Sequence, residues 1–75
     1  MAITLKMVQK QREILEGVKE TLETFIENKE EVLDNEESKD YPSDEKIEKY
    51  NTQIDLLNDV LTGLEDVIEN LSDYE

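Results

Sequence analysis

The chain has 75 residues, enough for one small domain spanning residues 1–75, and its formal net charge of −13 comes from 21 acidic and eight basic side chains. Such a charge excludes direct binding to a nucleic-acid backbone and disfavours anionic membranes, because both require clustered Lys and Arg. Cysteine and histidine are absent, which excludes disulfides, thiolate metal sites and the commonest general base.

The first predicted element is an α-helix over residues 3–35. Apolar side chains recur there at alternating steps of three and four residues, the period of a helix that is packed along its length. Two polar residues interrupt this period. The predicted buried stripe comprises Val8, Gln11, Leu15, Val18, Leu22, Phe25, Lys29 and Val32.

A loop is predicted over residues 36–43, because Pro42 cannot continue a helix and favours an extended Tyr41. Ser43 is suited to cap a second helix, predicted over residues 44–73, whose first turn holds two acids where the helix dipole favours negative charge. The same alternating steps recur in this helix. Its predicted buried stripe comprises Ile47, Tyr50, Ile54, Leu57, Leu61, Leu64, Ile68 and Leu71.

The short loop predicts an all-α fold in which the two helices form an antiparallel, coiled-coil-like hairpin. In the predicted register, a residue of the first helix lies opposite the residue of the second helix whose number adds up with its own to 79. This register pairs Lys29 with Tyr50, where the lysine stem can cover the seam, and brings Arg12 near Glu65.

A second apolar strip flanks the predicted seam towards the open end of the hairpin. Strips of this kind usually mark an interface, so we predict that the hairpin dimerises into a four-helix bundle. The alternative is that Ile3 and Leu5 fold over the strip within one chain. The predicted dimer interface comprises Met7, Ile14, Val60, Val67 and Tyr74.

A row of acidic side chains follows the first helix without interruption, again at steps of three and four residues. Like charges at these spacings each cost about 0.2–0.5 kcal/mol of helix stability, so folding gives no reason for the row. Acids at matching positions of the second helix extend it, and both rows are predicted to lie directly opposite the buried seam. The predicted partner-binding residues are Glu13, Glu16, Glu20, Glu23, Glu27, Glu30, Asp34, Glu37, Asp55, Asp59, Asp66 and Glu69.

These acidic rows predict a protein partner with a basic surface. Their size and charge resemble those of the small acidic helical proteins with which phages and mobile elements block nucleic-acid-binding enzymes, a class that includes DNA mimics and anti-CRISPR proteins. The resemblance implies an inhibitor that occupies the basic nucleic-acid groove of its target, in the host cytoplasm for a phage-encoded chain.

Two other interpretations are open. A coiled-coil assembly helper, such as a viral scaffold component, chaperone or adaptor, would bind through the apolar strip, and adaptation to high salt would also produce an acidic surface. We expect no enzymatic activity, catalytic residue, cofactor or metal, because carboxylates on a convex surface lack an enclosing pocket. Without a long apolar segment, a cytoplasmic location is expected.

Overall fold

The computed structural model describes residues 2–74 as a hairpin of two α-helices. Helix α1 spans Leu5–Glu37 and helix α2 spans Asp44–Ser72, and they pack against each other in a rod of 60 × 19 × 15 Å. The predicted all-α hairpin is confirmed. Both ends of α1 lie two residues later than predicted, and α2 ends one residue earlier.

Each helix begins at a side-chain cap. Thr4 Oγ1 accepts a hydrogen bond from the backbone N–H of Met7 at 3.2 Å, and Ser43 Oγ accepts one from the backbone N–H of Lys46 at 3.3 Å. Such caps satisfy N–H groups that lack a partner in the first turn and contribute about 0.5–2 kcal/mol relative to alanine. Thr4 therefore sets the later start of α1, and the predicted capping role of Ser43 is confirmed.

Helix α2 turns its predicted stripe towards α1, but α1 is rotated relative to the prediction. The prediction was right at every seventh residue from Val8 to Lys29 and wrong at the alternate positions of the stripe, where Val18, Phe25 and Val32 lie exposed. Gln11 is exposed as well. The covered positions of α1 are Val8, Arg12, Leu15, Lys19, Leu22, Ile26, Lys29, Leu33 and Glu36.

Consecutive apolar residues in α1 explain this error. Phe25 precedes Ile26, and Val32 precedes Leu33, so two stripes one residue apart fit the same period. The structure buries Ile26 to 7% exposure and leaves Phe25 half exposed. Towards the open end, the aliphatic stems of two basic side chains cover the seam in place of the exposed apolar residues.

Contacts between the helices test the predicted register at two points. Lys29 Nζ lies 5.4 Å from the centroid of the Tyr50 ring, a cation–π distance, so this predicted layer is confirmed. Arg12 donates a hydrogen bond to Ser72 Oγ at 3.2 Å across the hairpin. Its charge partner is Glu16 of its own helix, at 3.8 Å, and not the predicted Glu65.

A covered carboxylate fastens the loop to the end of α1. Glu36 is 5% exposed and accepts hydrogen bonds from Lys39 Nζ at 3.2 Å and from the backbone N–H of Ser43 at 3.3 Å, while Lys46 Nζ lies 3.9 Å away. Burial by itself raises the pKa of this carboxyl, but the two hydrogen bonds and the two positive charges outweigh it and lower the pKa of Glu36 below its ordinary value. Glu36 therefore remains charged at neutral pH and anchors the start of α2.

Candidate functional site: an apolar face and an acidic flank

One side of the hairpin carries uncovered apolar side chains along nearly its whole length. They are 40–59% exposed. All five predicted dimer-interface residues belong to this set, and the rotation of α1 adds three more from that helix. We define the apolar face as Met7, Ile14, Val18, Phe25, Val32, Leu56, Val60, Val67 and Tyr74.

A groove shows that both helices contribute to this apolar face. It lies in the half nearer the loop, has a volume of about 570 Å³, and is walled by Phe25 and Val32 from α1 and by Leu56 from α2. Gln53 also lines it, and the side-chain oxygen of Gln53 is covered without a hydrogen-bond partner in the part of the chain that the structure describes. The groove is thus an apolar depression with one unsatisfied polar atom at its wall.

The N-terminal residues do not cover the apolar face. Ile3 is 68% exposed, and Leu5, the first residue of α1, is also exposed. The alternative in which these two side chains fold over the strip within one chain is therefore wrong. Any cover must come from outside the residues that the structure describes.

The other side of the hairpin carries a second groove, of about 490 Å³, and its walls are carboxylates. One ammonium group and one apolar side chain, Lys19 and Ile68, complete it. We define the acidic flank as the five carboxylates that line this groove: Glu16, Glu20 and Glu23 from α1 and Glu65 and Glu69 from α2.

The rotation of α1 also corrects the predicted position of its acidic row. The row was expected directly opposite the seam, but the covered stripe now includes Lys19, which lies three residues after Glu16 and four before Glu23. Residues at these spacings are neighbours on a helix, so the row borders the seam on one side. Acids from α1 and α2 consequently meet at one groove, where the prediction had placed them on two separate ridges.

All twelve predicted partner-binding acids are exposed. Four of them line the groove, together with Glu65, which the prediction did not include. Glu65 was missed because the predicted register treated its position as part of a polar flank near Arg12. The other eight predicted acids lie outside the groove and continue the rows: Glu13, Glu27, Glu30, Asp34 and Glu37 of α1, and Asp55, Asp59 and Asp66 of α2.

Within residues 2–74, no three acidic side chains converge in a way that would hold a metal ion. Neither helix, over the same residues, is apolar enough for long enough to cross a bilayer. No protein-family model matches the chain, and comparisons with curated proteins and with solved structures found no match either. What the hairpin does must follow from its own two surfaces.

Proposed function

We propose that this protein is a non-catalytic binding protein whose acidic flank takes up a basic surface of a nucleic-acid-binding protein and competes there with nucleic acid. The observation that supports this most is the convergence of five carboxylates from both helices on one groove. Because like charges at helical spacings lower stability, their concentration here is better explained by an external positive charge than by folding.

The dimensions of the acidic rows suit an elongated basic groove. Successive acids rise by roughly 5 Å, and the α1 row extends roughly 36 Å from Glu13 to Glu37, at 1.5 Å per residue. Phosphates along a nucleic-acid strand follow one another at a broadly similar spacing. Charge complementarity over such a length speeds association and makes it sensitive to salt.

Two charge-matched variants test this proposal. The groove variant carries E16Q, E20Q, E23Q, E65Q and E69Q, and the control variant carries E30Q, D34N, E37Q, D55N and D59N. Each removes five negative charges, but only the first set lines the groove.

The measurement is displacement of a fluorescent DNA duplex from a purified histone octamer, a basic nucleic-acid-binding surface. We expect the wild-type protein to displace the duplex, with a potency that falls steeply as salt increases. The groove variant should be at least about tenfold weaker than wild type, and the control variant, which shortens the acidic row but leaves the groove intact, should lose clearly less potency. Undiminished displacement by the groove variant, or equal losses in both variants, would contradict the role of the groove.

We also propose that the hairpin dimerises into a four-helix bundle through the apolar face. A compact protein of 8.8 kDa exposes about 4,800 Å², whereas this chain exposes 5947 Å². Ile26 is the only apolar side chain among residues 2–74 that is buried. The excess of about 1,200 Å² is comparable to the roughly 800 Å² that each partner buries in a standard interface.

Val67→Asp tests the dimer, because it places a charge within the apolar face. Sedimentation equilibrium should show a dimer for the wild-type protein at micromolar concentration and a monomer for the variant. A wild-type monomer at about 100 μM would contradict dimerisation.

The apolar face also supports a second candidate function, an assembly helper that binds its client through this face. It predicts the opposite mutational pattern. Client binding would survive in the groove variant and disappear in Val67→Asp.

A further inference from the structure

We infer that two copies of this chain pack head to tail, so that the loop end of one hairpin lies beside the open end of the other and helix α2 crosses α2 of the partner at Val60. This inference rests on the proposed dimer and adds its geometry. The occupant of the apolar face is thus a second copy of the same chain, held in one orientation.

The first observation is a glycine that the hairpin itself does not need. Gly63 lies in the interior of α2, where glycine is about 1 kcal/mol less favourable than alanine. Its φ is not positive, and a Cβ built there would meet no atom within 4 Å. Neither backbone conformation nor close packing within the chain accounts for it, so the space beside Gly63 is open to a side chain of another molecule.

The second observation is the arrangement of α2 around Val60. Leu56, four residues before Val60, is 59% exposed and projects from the apolar face, while Gly63, three residues after Val60, leaves open space. A two-fold axis at Val60 places each projecting Leu56 over the space at Gly63 of the partner subunit. Such self-complementarity is what a symmetric dimer interface requires.

The third observation is the uneven charge of the two halves of the hairpin. The loop half, residues 22–57, carries twelve acidic and four basic side chains, whereas the open half, residues 2–21 and 58–74, carries eight acidic and four basic ones. Head-to-tail packing sets each loop half against the less negative half of the other copy. Packing with the loop ends together would oppose the two most negative regions, which increases repulsion.

The position of the apolar groove favours the same orientation. The groove lies in the loop half. With loop ends together, two depressions would face each other and leave a void that costs dispersion contacts. Head-to-tail packing sets the groove opposite the open half of the partner, where this chain presents exposed Ile14 and Val67.

Exchanging the residues at positions 56 and 63 tests the proposed contact between Leu56 and Gly63 of the partner subunit. Gly63→Leu should weaken dimerisation at least about tenfold, because its side chain would meet Leu56 of the partner subunit. The double variant Leu56→Gly with Gly63→Leu exchanges the two positions and should restore the dissociation constant to within about threefold of wild type. Thr62→Leu, the matched control, should leave dimerisation unchanged, since the exposed Thr62 lies seven residues before Glu69 and therefore on the side of α2 that carries the acidic flank.

Sedimentation equilibrium distinguishes the outcomes. A wild-type monomer at about 100 μM overturns the proposed dimer itself. A wild-type dimer that Gly63→Leu leaves intact, or that Thr62→Leu weakens as strongly as Gly63→Leu does, overturns only the head-to-tail geometry.

A distance measurement gives an independent test of orientation. The chain has no cysteine, so Asn70→Cys provides a single site for a nitroxide spin label. Asn70 lies ten residues from Val60, which places the two labels roughly 30 Å apart along a head-to-tail dimer at 1.5 Å per residue. Pulsed electron paramagnetic resonance should report a distance of about 30 Å or more. A distance below about 20 Å would mean that the open ends lie together, contrary to the inference.

Discussion

The two long sides of this hairpin, the acidic flank and the apolar face, are each unfavourable in isolation for a different physical reason. The acidic flank is fully compatible with water, but it gathers five carboxylates whose mutual repulsion is only partly offset, by Lys19 and by the ion pair of Arg12 with Glu16. The apolar face has no such repulsion, but its side chains are exposed to water, and burying their apolar surface would lower the free energy. Both sides raise the free energy of an isolated hairpin. Each is therefore understandable as half of a contact, one with a basic surface and one with a second copy.

The largest expected difference in unfolding free energy is between alanine substitutions at two adjacent residues of α1. Ile26→Ala should cost about 2–4 kcal/mol of unfolding free energy, because Ile26 is the buried member of the pair. Phe25→Ala should cost less than about 0.5 kcal/mol in the isolated hairpin, because Phe25 is half exposed. Urea unfolding followed by circular dichroism, in the Val67→Asp background that we expect to be monomeric, measures both. A larger loss for Phe25→Ala than for Ile26→Ala would mean that the stripe predicted from the sequence, and not the rotated one, is buried.

These two residues also show how far the sequence predicts the fold. Helix number, loop position and the buried stripe of α2 follow from regular spacing and from Pro42, because no competing pattern exists there. In α1, two stripes fit the same period, so contacts with the rest of the chain decide which of them is buried. Glu36 makes such contacts, with Lys39 and Ser43 of the loop, and they depend on where the chain returns after residue 37.

The candidate surfaces could be predicted only in part, for the same reason. The acidic residues and five apolar residues were identified from composition and spacing. Their grouping into one groove and one continuous face depends on the rotation of α1, and so the sequence alone could not bring Glu65 to the acids of α1 or Phe25 to Leu56.

A smaller effect is expected for charge removal on the acidic flank. The groove variant should be more stable than the wild-type protein by about 1 kcal/mol at low salt, because seven repulsive pairs of acids at helical spacings disappear. The loss of attraction to Arg12 and Lys19 offsets only part of this gain. This gain should shrink when salt screens the charges in the wild-type protein. Urea midpoints at about 20 mM and about 500 mM salt provide the measurement. A destabilised groove variant would show that these carboxylates make favourable contacts within the hairpin.

The smallest effect on stability is expected for a substitution of Glu36 at the loop. The lowered pKa of Glu36 means that its charged form stabilises the fold above the unfolded-state pKa of about 4.3, and that this contribution is lost as pH falls through the lower folded-state pKa. Glu36→Gln should therefore lower the Tm at pH 7 and have no effect once the wild-type carboxyl is protonated. Glu37→Gln, the exposed neighbour, is the control. A Tm difference that persists undiminished at about pH 2 would show that charge is not what matters at Glu36.

We expect the two sides of the hairpin to act separately, and the most direct test compares the groove variant with Val67→Asp in the same duplex-displacement assay at equal concentration. We expect the groove variant to lose at least about tenfold in potency while Val67→Asp, although expected to be a monomer, stays within about threefold of wild type per hairpin. The reverse result, with displacement retained by the groove variant and abolished by Val67→Asp, would show that the apolar face binds the target and that the acidic flank is only a solvated surface.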